Sequence, residues 1–215
     1  MPILENSEYI YLPCGRFYKS GKKTYGSVTS IISGFTPKKS TWVHDLAKVG
    51  TICHGQAAKE HIKVDIEEIM IWTIPQKEVY SAMRRFRCMW KKINRIINIK
   101  HVEIPVYYEN GAIKYGGRVD VIFEKDGLIY LGDIKTGNWY DHYPMQLAAY
   151  YQAAKDIYNI DKAAILHCDI SLDRNPNSIP AFIDFSKRDM ENLLPEFNDR
   201  CIKYNKLYNA WRDTL

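Results

Sequence analysis

The sequence has no run near the roughly 18 consecutive apolar residues that a membrane-crossing helix needs. Its start, MPILENSEYIY, also lacks the basic and then apolar stretch of a secretory signal. Both absences predict a soluble intracellular protein with no membrane partner. Cysteine is scarce and scattered: Cys14, Cys53, Cys88, Cys168 and Cys201 never fall at the CxxC spacing of a zinc or iron–sulfur site. Five such thiols read as reduced and mostly buried. No glycine precedes a Gly-Lys pair at the spacing GxxxxGK[ST], SGKKT included, so a loop cradling nucleotide phosphates is not expected, nor is ATP hydrolysis. Internal repeats and low-complexity tracts are missing as well.

What is present is ordinary for a globular chain. The 215 residues are 46% hydrophobic and 26% charged, enough for one domain with a real core. A net charge of +5 helps a polyanion approach, but many proteins that never touch nucleic acid are equally basic.

Along the chain, YIYLPCGRFY (residues 9–18) reads as a short peripheral hairpin leading into a basic turn at Lys19–Lys23. SVTSIIS offers a hydroxyl cap and an apolar turn from Ser27. Ser40 or Thr41 can cap a longer helix through Trp42, Leu46, Val49, Ile52 and His61. From about Pro75 to Asn98, Val79, Met83, Phe86, Trp90, Ile93 and Ile97 recur at helical steps, with a basic outer face from Arg84 to Arg95. At about Lys100 the period becomes alternating. HVEIPVYYE, AIKYGGRVDVIFE and LIYLGDIK then form an antiparallel meander, broken at Asn110-Gly111 and Lys125-Asp126-Gly127. A helix from about His142 to Tyr158, the buried strand AAILHCDIS and a helical tail from about Ser186 to Arg212 follow. A helix crossing between strands implies a mixed sheet. The fold class is therefore α/β, a central mixed sheet flanked by helices with an N-terminal helical portion.

The chemistry concentrates in LIYLGDIKTG. Alternation puts Ile129, Leu131, Asp133 and Lys135 on one face, and the preceding strand brings Asp120 toward them. Gly116-Gly117 leaves room there for a ligand or another backbone. Two carboxylates forced together repel unless a divalent cation offsets both charges. Oxygen ligands of this kind suit Mg²⁺ or Mn²⁺. Such a metal would activate water and take up charge on a phosphodiester, with Lys135 as a compact cation beside it. An isolated Asp-x-Lys is far more often a strand-face ion pair, but here it stands in an apolar strand that reads as buried.

YGGRVDVIFEKDGLIYLGDIKTG followed by QLAAY resembles the RecB-like branch of the PD-(D/E)XK nuclease superfamily. The matching motifs are Gly117-x-x-Asp120, Asp133-x-Lys135-Thr136, Gln146-x-x-x-Tyr150 and, upstream, Gly50-x-x-x-His54, in order over about residues 25–155. YGSVTSIISG also resembles the start of phage and mitochondrial genome maintenance exonucleases, and archaeal-virus and CRISPR-associated nucleases share the motif set. The resemblance implies a metal-dependent deoxyribonuclease working in replication, recombination or repair. Its catalytic residues would be Asp120, Asp133 and Lys135, and its metal ligands His54, Asp120, Asp133 and the Ile134 carbonyl. It further implies supporting or DNA-contacting roles for Glu103, Gln146, Tyr150 and Arg118. DNA is the implied partner, single strands or ends before duplex interiors, with exonuclease action before endonuclease action and a homo-oligomer left open. The implied layout is a single nuclease domain over 1–215: a mainly helical portion at 1–98, catalytic sheet and helix at 99–170, and a C-terminal strand and helix at 171–215. The iron–sulfur cysteines of some relatives have no counterpart in Cys168 and Cys201, so no cluster is expected.

Lys100 and the basic helix could guide a phosphate backbone, while Trp139 and Tyr140 could stack on unpaired bases, although surface or packing roles are commoner for such residues. Three rivals stand beside this reading: a nucleic-acid-binding scaffold on a nuclease fold, an RNA-directed nuclease and a Holliday-junction resolvase. The first would have lost an acid or the lysine; all three are present.

Overall fold

The structure, a computed structural model, describes residues 9–12, 15–34, 45–59, 76–168, 170 and 181–213. The expected capping at Ser40 or Thr41, Trp42, His61 and Cys14 lie outside the described residues.

The main sheet has five strands: β4 (Asn98–Asn110), β5 (Ile113–Lys125), β6 (Leu128–Lys135), β7 (Lys162–His167) and β8 (Ala181–Phe185), adjacent in that order. All neighbours are antiparallel except β6 and β7, which run parallel because the helix α4 (Tyr143–Tyr158) crosses between them. Both hairpin turns follow their sequence. Asp126 and Gly127 take positive φ of 53° and 76°, the pattern of a two-residue loop matched to strand twist, and Gly111 (φ 59°) opens the other.

Helices cover both faces. On one, Ile122, Leu131 and Ile165 pack with Leu147, Ala148 and Ala149 of α4 and with Phe197, Cys201 and Tyr204 of α5 (Lys187–Arg212). On the other, Phe123, Tyr130, Ile134 and Leu166 pack with Val49 and Cys53 of α2 (Asp45–Lys59) and Phe86, Trp90 and Ile93 of α3 (Gln76–Ile93). Burial of each such large side chain stabilises the fold by about 1.5–3 kcal/mol. Strands covered on both faces explain why LIYLGDIK and KAAILH read as nearly continuous apolar runs. The basic-faced helix stops at Ile93, short of the expected Asn98, because Ile97 enters the core at the start of β4.

The N-terminal region is less helical than its sequence suggests. A three-stranded antiparallel sheet, β1 (Tyr9–Leu12), β2 (Gly15–Ser20) and β3 (Lys23–Gly26), precedes α1 (Val28–Ser33). The basic turn is the tip of the β2–β3 hairpin, with Ser20 opposite Lys23. Nor is this region peripheral, since Phe17, Tyr18 and Tyr25 are buried. Ser27 caps α1 by accepting from the Ser30 N–H and also bridges to Gly116 of β5. Glu109 of β4 accepts from Lys23 (2.7 Å) and Tyr25 (3.0 Å). Among the described residues, no helix is long and apolar enough to cross a membrane.

Candidate active site

The site forms where β4, β5 and β6 stop behaving as a regular sheet. The β5–β6 ladder ends at Val121 opposite Gly132, so Asp120 and Asp133 are the first residues beyond it. The released Ile134 N–H donates instead to Asp120 Oδ2 at 2.7 Å. One residue later the Lys135 carbonyl accepts from the N–H of Cys168, just past the end of β7. Carbonyls of successive strand residues point to opposite edges, so the Ile134 carbonyl faces the Asp120 side, as a ligand would require. On β4, a register shift between Ile99 and His101 and a left-handed Glu103 (φ 52°) interrupt pairing, and Glu103 is passed over between Val102 and Ile104. Such a backbone costs on the order of 1–3 kcal/mol for a non-glycine residue and persists where the surroundings hold it.

His54 arrives from α2. A Cβ on Gly50 would stand 3.0 Å from Thr136 Oγ1, so glycine lets the helix close on the end of β6. One turn on, the same face carries His54 to Asp120, with Nδ1 3.3 Å from Oδ1. The spacing Gly50-x-x-x-His54 thus has a geometric reason. Ligand atoms of His54, Glu103 and Asp120 all lie within 4.8 Å of one another. Arg118 pairs with Glu103 at 3.3 Å.

Lys135 and Asp133 make the other half. Asp133 is 2% exposed, and Lys135 Nζ stands 2.7 Å from its Oδ2, outside hydrogen-bonding alignment, so this buried oxygen has a compensating charge but no aligned donor. The ammonium also donates to Gln146 Oε1 at 3.0 Å and lies 4.6 Å from the centre of the Tyr143 ring. Gln146 Nε2 donates to Tyr150 at 3.1 Å, which fixes the amide's orientation toward Lys135. Gly117 accommodates this arrangement: a Cβ there would fall 2.4 Å from Tyr150 Cε1, so the space expected for a ligand is filled by that ring.

Electrostatics separate the groups. Burial, together with repulsion from Asp120, raises Asp133 to about 6 against the opposing charge of Lys135. Burial would also raise Asp120, yet His54, Lys135 and the Ile134 N–H outweigh it and hold that carboxyl below its ordinary value. Burial would lower His54, but the charge and hydrogen bond of Asp120, aided by Glu103, hold it above. Glu103 is raised by burial and by Asp120. Two carboxyls raised and one lowered within a small volume is the pattern expected where an ionic ligand completes the charge balance. An imidazole nitrogen and two carboxylates with ligand atoms within 4.8 Å of one another fit a divalent cation.

The sequence-predicted residues divide accordingly. His54, Asp120 and Glu103 come together as one donor cluster, with the Ile134 carbonyl on its side; Asp133 is not part of that cluster and leans on Lys135. Gln146 and Tyr150 hold Lys135, and Arg118 holds Glu103. Lys100, considered for phosphate guidance, pairs with Glu124 at 2.7 Å, and Arg85 of the basic helix donates to the Ile170 carbonyl at 2.7 Å. Sequence reasoning missed Tyr143. Its position three residues before Gln146 and seven before Tyr150, on one helix face, was the available signal.

No protein-family model matches the chain, and no curated protein does. Among solved structures, a candidate exonuclease from Eubacterium rectale superposes with a TM-score of 0.51 at 10% identity, over 78% of this chain and 70% of that one. The chain shares that nuclease-like fold. A second structure, SSO0001, overlaps at a TM-score of 0.31 and 15% identity, over 70% of this chain and 85% of that one.

Proposed function

We propose that the protein is a metal-dependent DNA nuclease of the RecB-like PD-(D/E)XK type, a single domain that hydrolyses phosphodiester bonds in single strands or at DNA ends. The observation that carries this is the juxtaposition of two half-sites at the parting of β5 and β6: the donor cluster His54–Glu103–Asp120 and the buried Asp133–Lys135 pair.

His54, Glu103, Asp120, Asp133 and the Ile134 carbonyl would hold Mg²⁺ or Mn²⁺, and the imidazole nitrogen tilts the set toward Mn²⁺. A cation there supplies a coordinated water of lowered pKa and absorbs charge on the phosphoryl oxygens. The Lys135 ammonium, held by Gln146 and Tyr143, would orient that water or stabilise developing charge. Asp133 would hold the ammonium in place through the ion pair at 2.7 Å.

The test is cleavage of end-labelled single-stranded, double-stranded and matched RNA substrates with Mg²⁺, Mn²⁺ or EDTA, comparing wild type with Asp133→Ala and Lys135→Ala. The expected outcome is metal-dependent cutting of DNA, reduced on the order of 100- to 1000-fold in either variant. A product ladder growing from one end marks exonuclease action. Binding without cutting under every metal would overturn the reading in favour of a scaffold, and equal cutting of RNA would overturn the DNA assignment.

A further inference from the structure

Between β6 and α4 the chain presents aromatic rings beside the lysine. Trp139 and Tyr140 are 39% and 51% exposed and adjacent on this loop. The loop is pinned at three points. His167 Nε2 meets the Gly137 carbonyl at 2.7 Å, Tyr143 OH donates to the Asn138 carbonyl at 3.0 Å, and Tyr143 N–H donates to the Tyr140 carbonyl at 3.0 Å. The rings are therefore held ready before any ligand arrives, which lowers the ordering cost of binding. Tyr143 joins this ledge to the site: its ring centre is 5.7 Å from Trp139, 5.5 Å from Tyr140 and 4.6 Å from Lys135 Nζ. His142 stacks on Tyr140, ring centres 5.5 Å apart, and extends the ledge; burial and the charges of Lys135 and Arg200, against that of Asp141, hold its imidazole below its ordinary value.

We propose that Trp139 and Tyr140 form a stacking platform for unpaired nucleobases next to the bond being cut, which makes a single strand or a frayed end the preferred substrate. This rests on the nuclease reading of the Lys135 site. Adjacent nucleotides in one strand of a duplex are about 3.4 Å apart along the axis, so rings this close to Lys135 fall within a few nucleotides of a phosphate held there. In an intact duplex those bases stack on each other and offer no face to a side chain; in a single strand each base offers one, without regard to sequence.

The test uses Trp139→Ala/Tyr140→Ala and Trp139→Phe/Tyr140→Phe against a fluorescent single strand, the same strand annealed in a blunt duplex, and an abasic version of it. Cleavage is measured in Mn²⁺ and equilibrium binding in EDTA. The alanine pair should raise KM, and weaken binding in EDTA, on the order of tenfold for the normal single strand, with kcat nearly unchanged. Wild type and the alanine pair should handle the abasic strand alike, and the phenylalanine pair should recover most of the loss. Equal losses on normal and abasic strands, or none on either, would overturn the platform. Should wild type cut nothing while the base-dependent binding loss persists, the nuclease reading falls and the platform stands.

Discussion

Lys135 and His54 serve the same corner of the sheet, yet their surroundings differ in kind. Lys135 and Asp133 are enclosed: β7 pairs with their strand, α4 roofs them, and the ammonium already has a carboxylate, an amide and a ring around it. His54, Glu103 and Asp120 are partly open to solvent, and each comes from a different element: α2, an irregular point on β4, and the end of the β5–β6 ladder. The enclosed half neutralises its own charge. The open half concentrates donor atoms from three elements, with Arg118 at its edge. On the proposed reading, rigid scaffolding would sit where the lysine must be aimed, and adaptable donors where an ion would enter and leave.

The largest expected effect separates the halves by stability. Lys135→Ala strands the buried Asp133 carboxylate and should cost about 3–5 kcal/mol, whereas Glu103→Gln in EDTA should change stability by less than about 1 kcal/mol. The double variant Asp133→Asn/Lys135→Met should regain most of the first loss while remaining inactive. Chemical denaturation measures all three. A Lys135→Ala penalty no greater than that of Glu103→Gln would show that the enclosure contributes nothing.

The enclosed half was legible in the sequence because it obeys local rules. Strict alternation places Asp133 and Lys135 together on one face, and helical period puts Gln146 and Tyr150 on one helix face, which the motif resemblance ties to the site. In the open half Asp120 was legible from the hairpin, but His54 and Glu103 only through the motif resemblance, since no periodicity says that α2 reaches β5. Its position depends on the close approach of Gly50 to Thr136, a contact across 86 residues of sequence. The left-handed Glu103 was not read either: Pro105, two residues on, marks an irregular strand but does not say which residue turns left-handed. The N-terminal sheet was underread for a different reason. The basic turn at Lys19–Lys23 was read as leading out of a peripheral hairpin with no strand after it, but Tyr25 beyond it is buried and Lys23 is paired with Glu109 on β4.

Metal addition sharpens the comparison at smaller magnitude. At about 100 times its Kd, Mn²⁺ should stabilise the wild-type protein by about 2.7 kcal/mol. His54→Ala and Glu103→Gln should lose most of that gain, because each removes a donor from the cluster. Lys135→Ala should keep it, starting from a lower melting temperature. Thermal melts with EDTA and with Mn²⁺ provide the check. A gain kept in His54→Ala and lost in Lys135→Ala would reverse the roles assigned to the two halves.

The smallest effect is in the pH dependence, and its sign depends on the metal. In EDTA, His54 has a folded pKa above its ordinary value of 6.5, so its contribution is fully present below 6.5 and lost as pH rises through the raised value. Asp133, raised to about 6, has its own stabilising contribution lost between its ordinary 3.8 and that value, so it adds little slope above 6.5. Asp120, held low, contributes above its ordinary value and loses that contribution only in acid. The metal-free protein should therefore become slightly less stable from pH 6.5 upward. With excess Mn²⁺ the slope should reverse over the same interval, because a coordinated imidazole must first give up its proton. His54→Gln should flatten both curves. Parallel slopes with and without Mn²⁺ would mean that His54 does not touch the metal, and the open half would then reduce to a surface ion pair.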